Sequence, residues 1–394
     1  MPHYKINDPD FLKDPTATLA HMRAEGALVW IKLPIIGLCW ATTTDAAARD
    51  ILKDDAHFAR NPANAGGRDI GRYYWFLPRF MRPLTRNILG FDGAEHKRIR
   101  TAVDQSFSRA SIEALRPDIT RIADHYLDQL DTNKLVDITE DYARLLPLEV
   151  ICVLLGIKPD LRTTLARAIS PISKPTGVLT LQTALPGLYK TQKLLRVEIT
   201  HIRDTPRDGL LSTLIHDPTC DLTDDEILSL AFILFIAGHE TTLHLISGAV
   251  FAISEGAQSN EPTSLAIEEF MRFFSPVLMT KALFVRETHD RFGQTLKQGD
   301  KVIAQLIAAN HDPVRFENAT DLQTDRRPNT HIGFGFGPHV CLGMHLARVE
   351  TQIALEHLFQ RFPNLERGPK DASPLYSQRV GFRGIKHLKV KLRL

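Results

Sequence analysis

The chain has 394 residues, of which 43% are hydrophobic and 24% are charged, a composition typical of a folded globular protein. Its 48 basic and 46 acidic residues leave a net charge of +2, which argues against a general nucleic-acid-binding protein. The cysteines at positions 39, 152, 220 and 341 show no paired spacing, so we expect no disulfide framework. Because no Pro/Gly/Ser-rich linker or repeat divides the sequence, we expect residues 1–394 to form a single domain.

The N-terminal sequence MPHYKINDPDFLKD is polar and acidic, whereas a secretory signal combines a basic start with an apolar core. The longest apolar run, ILSLAFILFIAG at residues 227–238, is too short to cross a bilayer and continues directly into His239 and Glu240. We therefore expect this run to be a buried helix, and the protein to be cytoplasmic and without a membrane anchor.

The first 60 residues combine two apolar runs, ALVWIKL and GLCWATT, with two helical stretches, ATLAHMRAEG and DAAARDILKD, which predicts a small N-terminal sheet. Helical periodicity dominates residues 93–254, and IEALRPDITRIADHYLDQL is predicted to be one amphipathic helix. The segment from LTDDEILS to AISEG predicts one long helix. Thr223 and Glu226 have capping-box spacing at its start, and Gly256 lies near its end.

A further helix is predicted after Ser264, followed by strand-like pieces (KALFVRET and KVIAQLIAAN) and loops. A last helix is predicted to start at Leu342, and the tail HLKVKLRL alternates like an edge strand. Together these patterns predict a mainly α fold with a minor β part (α+β), with helices too long for a simple bundle.

Cys341 stands in the glycine-rich stretch FGFGPHVCLG. Gly335, Gly337 and Gly343 allow tight turns and a close approach of the backbone to a flat ligand. Backbone N–H groups and the start of the following helix are predicted to stabilise a thiolate and to lower the pKa of Cys341. Such a thiolate suits the axial position of a haem iron, whereas a lone cysteine is otherwise most often a small buried hydrophobic residue.

This stretch matches the pattern F-x-x-G-x-[HR]-x-C-x-G and thereby resembles the haem-binding signature of the cytochrome P450 superfamily. The resemblance implies the cytochrome P450 fold, with a long central helix over haem b and Cys341 as the metal ligand. It also implies that Phe334, Gly335, His339 and Gly343 bind the cofactor, with His339 donating to a haem carboxylate.

The sequence AGHETT interrupts the apolar centre of the long helix. A threonine hydroxyl there can donate to the carbonyl four residues earlier and bend the helix. In the resembled family this segment crosses the distal face of the haem. Ala237 and Gly238 are therefore expected to contact the cofactor, and Glu240 and Thr241 to act catalytically by relaying protons. Taken alone, the segment would also fit a polar break at a packing kink.

Glu269 and Arg272, in EEFMR, are three residues apart and share a helix face. Alone, they would be interpreted as a surface ion pair of little energetic weight. The resemblance adds Arg326, in TDRRPNTH, and implies a buried structural Glu–Arg–Arg cluster that holds the fold around the cysteine loop.

His96 and Arg100, in DGAEHKRIR, are four residues apart on a helix predicted to begin near Gly93. They resemble the family's H-x-x-x-R pair, which implies donation to a haem propionate, although alone they would fit two solvated basic residues. The family usually carries a second propionate arginine where this sequence has Leu283. Lys281 lies two residues earlier, on the same face of a strand, and is the expected substitute.

The resemblance implies a haem-thiolate monooxygenase that hydroxylates or epoxidises a hydrophobic small molecule of the terpenoid, steroid, fatty-acyl, polyketide or aromatic type. Electrons would come from NAD(P)H through a ferredoxin or flavodoxin and its reductase, and a monomer is expected. Lys97, Arg98 and Arg348 are interpreted either as a basic patch for an acidic partner or as ordinary solvated surface. A peroxide-driven peroxygenase of the same fold, a non-catalytic haem sensor and an all-α scaffold protein remain alternatives.

Arginines and aromatic residues alternate in the segment NPANAGGRDIGRYYWFLPRFMRPLTRNILG. Two interpretations stay open: the arginines bind a substrate carboxylate or an acidic carrier protein, or they form surface salt bridges. The arginines concerned are Arg68, Arg72, Arg79, Arg82 and Arg86.

Overall fold

The computed structural model describes residues 4–34, 36–69, 84, 86–169, 178–256, 262–368, 374–377 and 379–393. The helices in this part of the chain are α1 (Pro9–Lys13), α2 (Thr16–Glu25), α3 (Asp45–Lys53), α4 (Gly93–Asp104), α5 (Arg109–Ala114), α6 (Arg116–Asp128), α7 (Leu145–Leu155), α8 (Pro159–Ile169), α9 (Val178–Asp204), α10 (Leu210–His216), α11 (Asp224–Ser254), α12 (Ser264–Phe274), α13 (Leu306–Asn310) and α14 (Met344–Arg361). The strands are β1 (Leu28–Leu33), β2 (Gly37–Thr42), β3 (Phe58–Ala59), β4 (Leu135–Asp137), β5 (Leu283–Val285), β6 (His289–Arg291), β7 (Gln294–Leu296), β8 (Lys301–Ile303), β9 (Glu366–Arg367) and β10 (Lys389–Lys391). The predicted α+β fold class is confirmed.

A five-stranded sheet joins the N-terminal part of the chain to strands from its second half, in the order β1-β2-β8-β5-β3. β2 and β8 run parallel, and the other neighbours are antiparallel. The predicted N-terminal sheet is therefore confirmed. Ala59 of β3 pairs with Phe284 of β5, which brings the residues flanking these two short strands, Arg60 and Lys281, to the same region.

The long helix α11 forms the centre of the helical core and packs against α7, α9 and α14. Its predicted capping box is confirmed: the backbone N–H of Glu226 donates to the Thr223 hydroxyl, and the backbone N–H of Thr223 donates to the Glu226 carboxylate. By length and composition α11 is apolar enough to cross a membrane, but 67% of its most apolar window is buried inside the protein. Its apolar character is therefore that of a core helix.

Two helices, α5 and α6, replace the single amphipathic helix that the sequence pattern predicts. α5 ends at Ala114, and α6 begins at Arg116 with Pro117 in its first turn. Proline has no backbone N–H to donate to the carbonyl of Glu113, so the helix stops and restarts at this point. The apolar face of α6 is buried through Ile119, Ile122 and Leu127.

The segment KVIAQLIAAN, predicted to be strand-like, is a strand only in its first part and a helix in its second part. β8 ends at Ile303, and α13 starts at Leu306. Between them, the backbone N–H of Gln305 donates to the Thr42 hydroxyl instead of to a neighbouring strand. This side-chain acceptor ends the ladder and allows the chain to turn into a helix.

The C-terminal strand β10 lies between β4 and β9, so the prediction of an edge strand is wrong. Val390 pairs with Val136 on one side and with Arg367 on the other. Val390 is buried, whereas its neighbours Lys389 and Lys391 are exposed. Alternation indicated one buried face correctly, but it carries no information on how many strands pair with the backbone.

Candidate functional site

The loop that carries Cys341 is shaped by two glycines in the left-handed region, Gly335 with φ 78° and Gly337 with φ 73°. A Cβ atom at Gly337 would collide with the carbonyl oxygen of Leu52 in α3, so only glycine fits there. The backbone N–H of Cys341 donates to the Phe334 carbonyl at 2.8 Å, which closes the loop. A glycine requirement at position 343 is not seen, because Gly343 has φ −85° and a Cβ there would make only ordinary contact.

The Cys341 side chain is accessible, yet the surrounding protein raises the pKa of its thiol through desolvation. The backbone N–H of Gly343 donates to the sulfur and opposes this shift without reversing it. The nearby N–H donors therefore do not by themselves bring the pKa of the thiol below its usual value, because burial outweighs them. α14 begins at Met344, not at Leu342, so its first N–H groups lie further from the sulfur than expected.

The centre of α11 exposes a short strip between buried residues. Ala237 is exposed and Thr241 is half-buried, although the neighbouring Phe235, Glu240 and Thr242 are buried. The Thr241 hydroxyl donates to the Ala237 carbonyl at 2.7 Å, the back-bond that the sequence suggests. Because α11 otherwise packs against α7, α9 and α14, exposure at its centre means that Ala237 and Thr241 are not covered by a neighbouring helix of the described residues.

Glu240, with 3% of its surface exposed, lies between two basic side chains. Its Oε2 pairs with the Arg379 guanidinium, and its Oε1 lies 4.0 Å from Nε2 of His244, one turn along the helix. Burial lowers the pKa of Arg379 to about 10 and that of His244 to about 3. At neutral pH Glu240 therefore faces a cation on one side and a neutral imidazole on the other. Sequence reasoning missed Arg379, because no motif surrounds it.

His96 and Arg100 of α4 both meet the cysteine loop. The His96 ring is buried, and its centroid is 3.9 Å from that of His339. Nη1 of Arg100 donates to the Val340 carbonyl at 2.8 Å, and its Nε donates to Asp104 at 2.8 Å. The structure thus brings together the predicted residues of α4 and of the loop.

Arg60 and Lys281 form a second pair of basic residues, close to the pair His96 and Arg100. Arg60 is 7% exposed, and its Nη1 lies 3.5 Å from the carbonyl oxygen of Lys281. The backbone N–H of Arg60 donates to Asp92 at 2.6 Å, which fixes the position of the Arg60 backbone. The Lys281 side chain is accessible, yet desolvation by the surrounding protein and then the charge of Arg60 lower its pKa to about 8. Sequence reasoning identified Lys281 and missed Arg60, which stands in the unremarked sequence HFARNP.

Both pairs, His96 with Arg100 and Arg60 with Lys281, lie close to His339. Its pKa is held far below the usual range by burial and then by Arg60, His96, Arg100 and Lys281, in that order. A concentration of positive charge at a partly desolvated place calls for an anionic ligand. An iron porphyrin carries two carboxylates and accepts a thiolate at its metal, so this donor set fits a haem group.

Glu269 and Arg272 of α12 form a buried ion pair with two hydrogen bonds of 2.7 and 2.8 Å. Arg326 donates to both carboxylate oxygens of Glu269 at 3.1 Å, so the structure brings the three predicted residues together. Arg272 also donates to the carbonyl oxygens of Asn310 and Ala319. The cluster therefore ties α12 to the loops that precede the cysteine loop.

The basic patch suggested for an acidic partner is largely compensated by carboxylates. Arg98 pairs with Asp221 and Glu226 and keeps 32% of its side chain exposed, and Arg348 donates to Glu268 at 2.6 and 2.8 Å. Of the three predicted residues, Lys97 alone has no carboxylate within salt-bridge distance among the described residues.

The arginine-rich segment is described only in part. Arg68 and Arg86 are exposed, and Arg86 lies 3.6 Å from Glu95 and 4.0 Å from Asp69, as expected of a surface residue. Arg72, Arg79 and Arg82 lie outside the described residues.

Comparison with known proteins gives a consistent result. A family model described as cytochrome P450 matches residues 262–383. The polyketide biosynthesis cytochrome P450 PksS of Bacillus subtilis (strain 168) is 34% identical over 318 residues, which cover 78% of each chain. The crystal structure of myxobacterial cytochrome P450 CYP267B1 in complex with myristic acid is similar, with a TM-score of 0.89, 29% identity and coverage of 99% of both chains. P450BioI in complex with an acyl carrier protein ligated to hexadec-9Z-enoic acid has a TM-score of 0.85 and 29% identity, over 98% of this chain and 99% of that one.

Proposed function

Because the chain belongs to the cytochrome P450 family and is a haem-thiolate monooxygenase, we propose that it hydroxylates or epoxidises a hydrophobic small molecule with electrons from separate redox proteins. One atom of O₂ enters the substrate and the other leaves as water, which consumes two electrons and two protons. Several sequence segments contribute to one sheet, and Arg383 donates to the Leu12 carbonyl at 2.7 Å, which supports a single domain over residues 1–394.

The observation that carries the proposal is the accessible thiol of Cys341 beside a concentration of basic side chains. When bound, the haem supplies the oxygen-activating chemistry, with Cys341 as its metal ligand. Phe334, Gly335 and Gly343 form the loop that holds the sulfur in place. On α11, the exposed Ala237 leaves room next to the backbone, whereas Gly238, expected to contact the cofactor, packs towards Ile151 of α7.

The basic side chains hold the two haem carboxylates. His96, Arg100 and His339 form one group of donors, and Arg60 with Lys281 forms the other. Arg60 thereby supplies the arginine that the sequence lacks at Leu283. Charge-assisted hydrogen bonds of this kind are stronger than neutral ones, so they anchor the cofactor as well as orient it.

Glu240 and Thr241 handle protons on the other side of the site. The Thr241 hydroxyl, held by the Ala237 carbonyl at 2.7 Å, presents its lone pairs along the exposed strip of α11 and orders water there. Glu240 exchanges protons with that water and so connects the site to its surroundings.

The substrate we propose is hydrophobic and of moderate size. Ile233 and Ile236 on α11 are half-buried and supply apolar surface next to Ala237, whereas Phe232, Leu278 and Met279 are packed in the core. Myristic acid in the similar structure and the polyketide role in the name of the similar enzyme support a fatty-acyl or polyketide substrate over a small polar one.

We propose a ferredoxin or flavodoxin with its NAD(P)H reductase as electron source, and a monomeric enzyme in the cytoplasm. The support is that bacterial members of this family typically take electrons from separate redox proteins. An acyl carrier protein, as in the similar complex, is a second kind of partner that would deliver a fatty-acyl substrate.

The test starts with the reduced carbon monoxide complex of the purified protein. The haem-thiolate absorption band is expected, and Cys341→Ser should abolish it while circular dichroism stays unchanged. Turnover of hydrophobic compounds under ¹⁸O₂ with NAD(P)H, ferredoxin and reductase should place one labelled atom in the product. Turnover with hydrogen peroxide but not with the redox proteins would instead indicate a peroxygenase, and absence of the band would refute the proposal.

A further inference from the structure

Arg379 stands where the C-terminal segment meets the centre of α11. Its guanidinium pairs with Glu240, and its Cζ lies 4.5 Å from the centroid of the Phe382 ring. The chain around it is fixed by backbone contacts, because the N–H of Leu278 donates to the Gly381 carbonyl at 2.9 Å. Arg379 therefore lies between the centre of α11 and the segment that follows α12.

The ion pair is in conflict with the proton-transfer role proposed for Glu240. An opposite charge in contact favours the ionised carboxylate, so Glu240 paired with Arg379 is a poor proton donor. Arg379 stays charged at neutral pH, since burial lowers its pKa only to about 10. Glu240 can donate a proton efficiently only when another anion replaces it as the partner of the Arg379 guanidinium.

We propose that Arg379 binds a carboxylate of the substrate, and that this carboxylate replaces Glu240 at the guanidinium. This inference rests on the proposed monooxygenase function and adds the chemical class of its substrate, an acid with a hydrophobic body. The planar guanidinium offers donors in a fork that matches a carboxylate. The Phe382 ring holds that fork in place, so Glu240 is the group that moves.

Other described arginines near the pocket are less suited to this task. Arg68 and Arg86 are exposed at the surface, and Arg60 is directed towards Lys281 and His339. Arg383 is buried but donates to four backbone carbonyl oxygens, which fixes it as a structural residue. Among the described residues, Arg379 has one carboxylate partner, Glu240, which is also the residue proposed to transfer protons.

The exchange makes substrate binding and proton supply interdependent. An acid that binds Arg379 frees Glu240, so electrons are used for product. A neutral analogue of the same shape leaves the ion pair intact, so it occupies the pocket without releasing Glu240. The structure thus predicts a difference in both affinity and coupling between an acid and its amide.

The test uses the haem-loaded enzyme and saturated C10 to C16 fatty acids, each paired with its primary amide. Dissociation constants are measured from the spin-state shift of the Soret band. In the wild type we expect at least one acid to bind about tenfold or more tightly than its amide, the effect of one charge-assisted hydrogen-bonded contact. In Arg379→Gln this ratio should fall to about one, and Arg379→Lys should keep part of it. Lys97→Gln, on the surface of α4, is the control that should leave the ratio unchanged.

A second readout compares hydrogen peroxide release with product formation for the acid and its amide. The amide is expected to release more peroxide in the wild type, and Arg379→Gln should remove this difference. The assignment is overturned if no acid binds, if acids and amides bind alike, or if Arg379→Gln keeps the preference. These outcomes are distinct from failure of the proposed function, which would show as loss of the haem-thiolate band in the wild type.

Discussion

Glu350 of α14 accepts a hydrogen bond from Thr242 of α11, in the buried contact between the helix that follows Cys341 and the helix that carries Glu240. Glu350 and Thr242 are 2% and 3% exposed, and among the described residues no cation pairs with the carboxyl group. Desolvation raises the pKa of Glu350 well above its usual value, so burial favours the neutral acid over the carboxylate.

Replacing Glu350 by glutamine should raise the free energy of unfolding at neutral pH and flatten its pH dependence. The folded protein holds this proton more tightly than the unfolded chain, so the contribution is fully present below the usual glutamate pKa of about 4.3. It is lost as the pH rises towards the folded pKa, with a slope of up to about 1.4 kcal/mol per pH unit. Urea unfolding of wild type and Glu350→Gln between pH 4 and 8 measures the difference. Glu317→Gln, on an exposed loop residue, is the control, and parallel curves for wild type and Glu350→Gln would contradict the assignment.

Replacing Thr241 by alanine should divert electrons from product to hydrogen peroxide. The Thr241 hydroxyl lies at the accessible strip of α11 and is held by the Ala237 carbonyl, so it is placed to order water. Loss of the hydroxyl that positions the proton-donating water typically costs about a hundredfold in the proton-transfer step, so product per NAD(P)H should fall. Thr241→Ser keeps the hydroxyl and should keep most of the coupling. Unchanged coupling in Thr241→Ala would remove this residue from the proton pathway.

Removing the Arg60 side chain should weaken haem retention without unfolding the protein. Arg60 lies beside Lys281, and both are proposed donors to a haem carboxylate. Loss of one charge-assisted hydrogen bond, about 1.5–3 kcal/mol, should speed haem transfer to apomyoglobin by about tenfold or more. Lys281→Ala should act in the same direction, and the exposed Lys297→Ala is the matched control.

A second measurement separates binding from a general loss of structure. The charge of Arg60 lowers the pKa of Lys281, so Arg60→Ala should raise that pKa, as read from the pH dependence of lysine modification in the haem-free protein. Haem loss at the wild-type rate in both Arg60→Ala and Lys281→Ala would show that neither residue anchors the cofactor.

Local sequence signals predicted the parts of the molecule whose partners are close in the chain. The capping box of Thr223 and Glu226, the spacing of Glu269 and Arg272 and the glycine-rich loop around Cys341 all lie within a few residues. Pro117 was also a readable signal, and a proline in the first turn would have divided the helix correctly.

The missed residues depend on contacts between distant parts of the chain. Arg60 meets Lys281 only because β3 pairs with β5, and Arg379 meets Glu240 only because the C-terminal segment crosses α11. Neither arginine belongs to a motif, and a single arginine is most often a surface residue. The desolvation that raises the pKa of Cys341 likewise follows from packing and not from neighbouring residues in the sequence.

The buried cluster around Glu269 gives the strongest prediction for stability. Glu269 is fully buried and receives hydrogen bonds from Arg272 and Arg326, so Glu269→Gln leaves two guanidinium groups in the interior without a counter-charge. Removing one partner of a buried ion pair typically costs about 3–5 kcal/mol, far more than the same change at the surface. The adjacent Glu268→Gln is the matched control: Glu268 also pairs with an arginine, Arg348, but its side chain is 24% exposed, so water compensates part of the loss. Urea unfolding should show a clearly larger loss for Glu269→Gln, and equal losses would mean that the cluster adds nothing beyond an ordinary helix-surface pair. Because Arg326 precedes the cysteine loop, Glu269→Gln is also expected to lower haem retention, which Glu268→Gln should affect less.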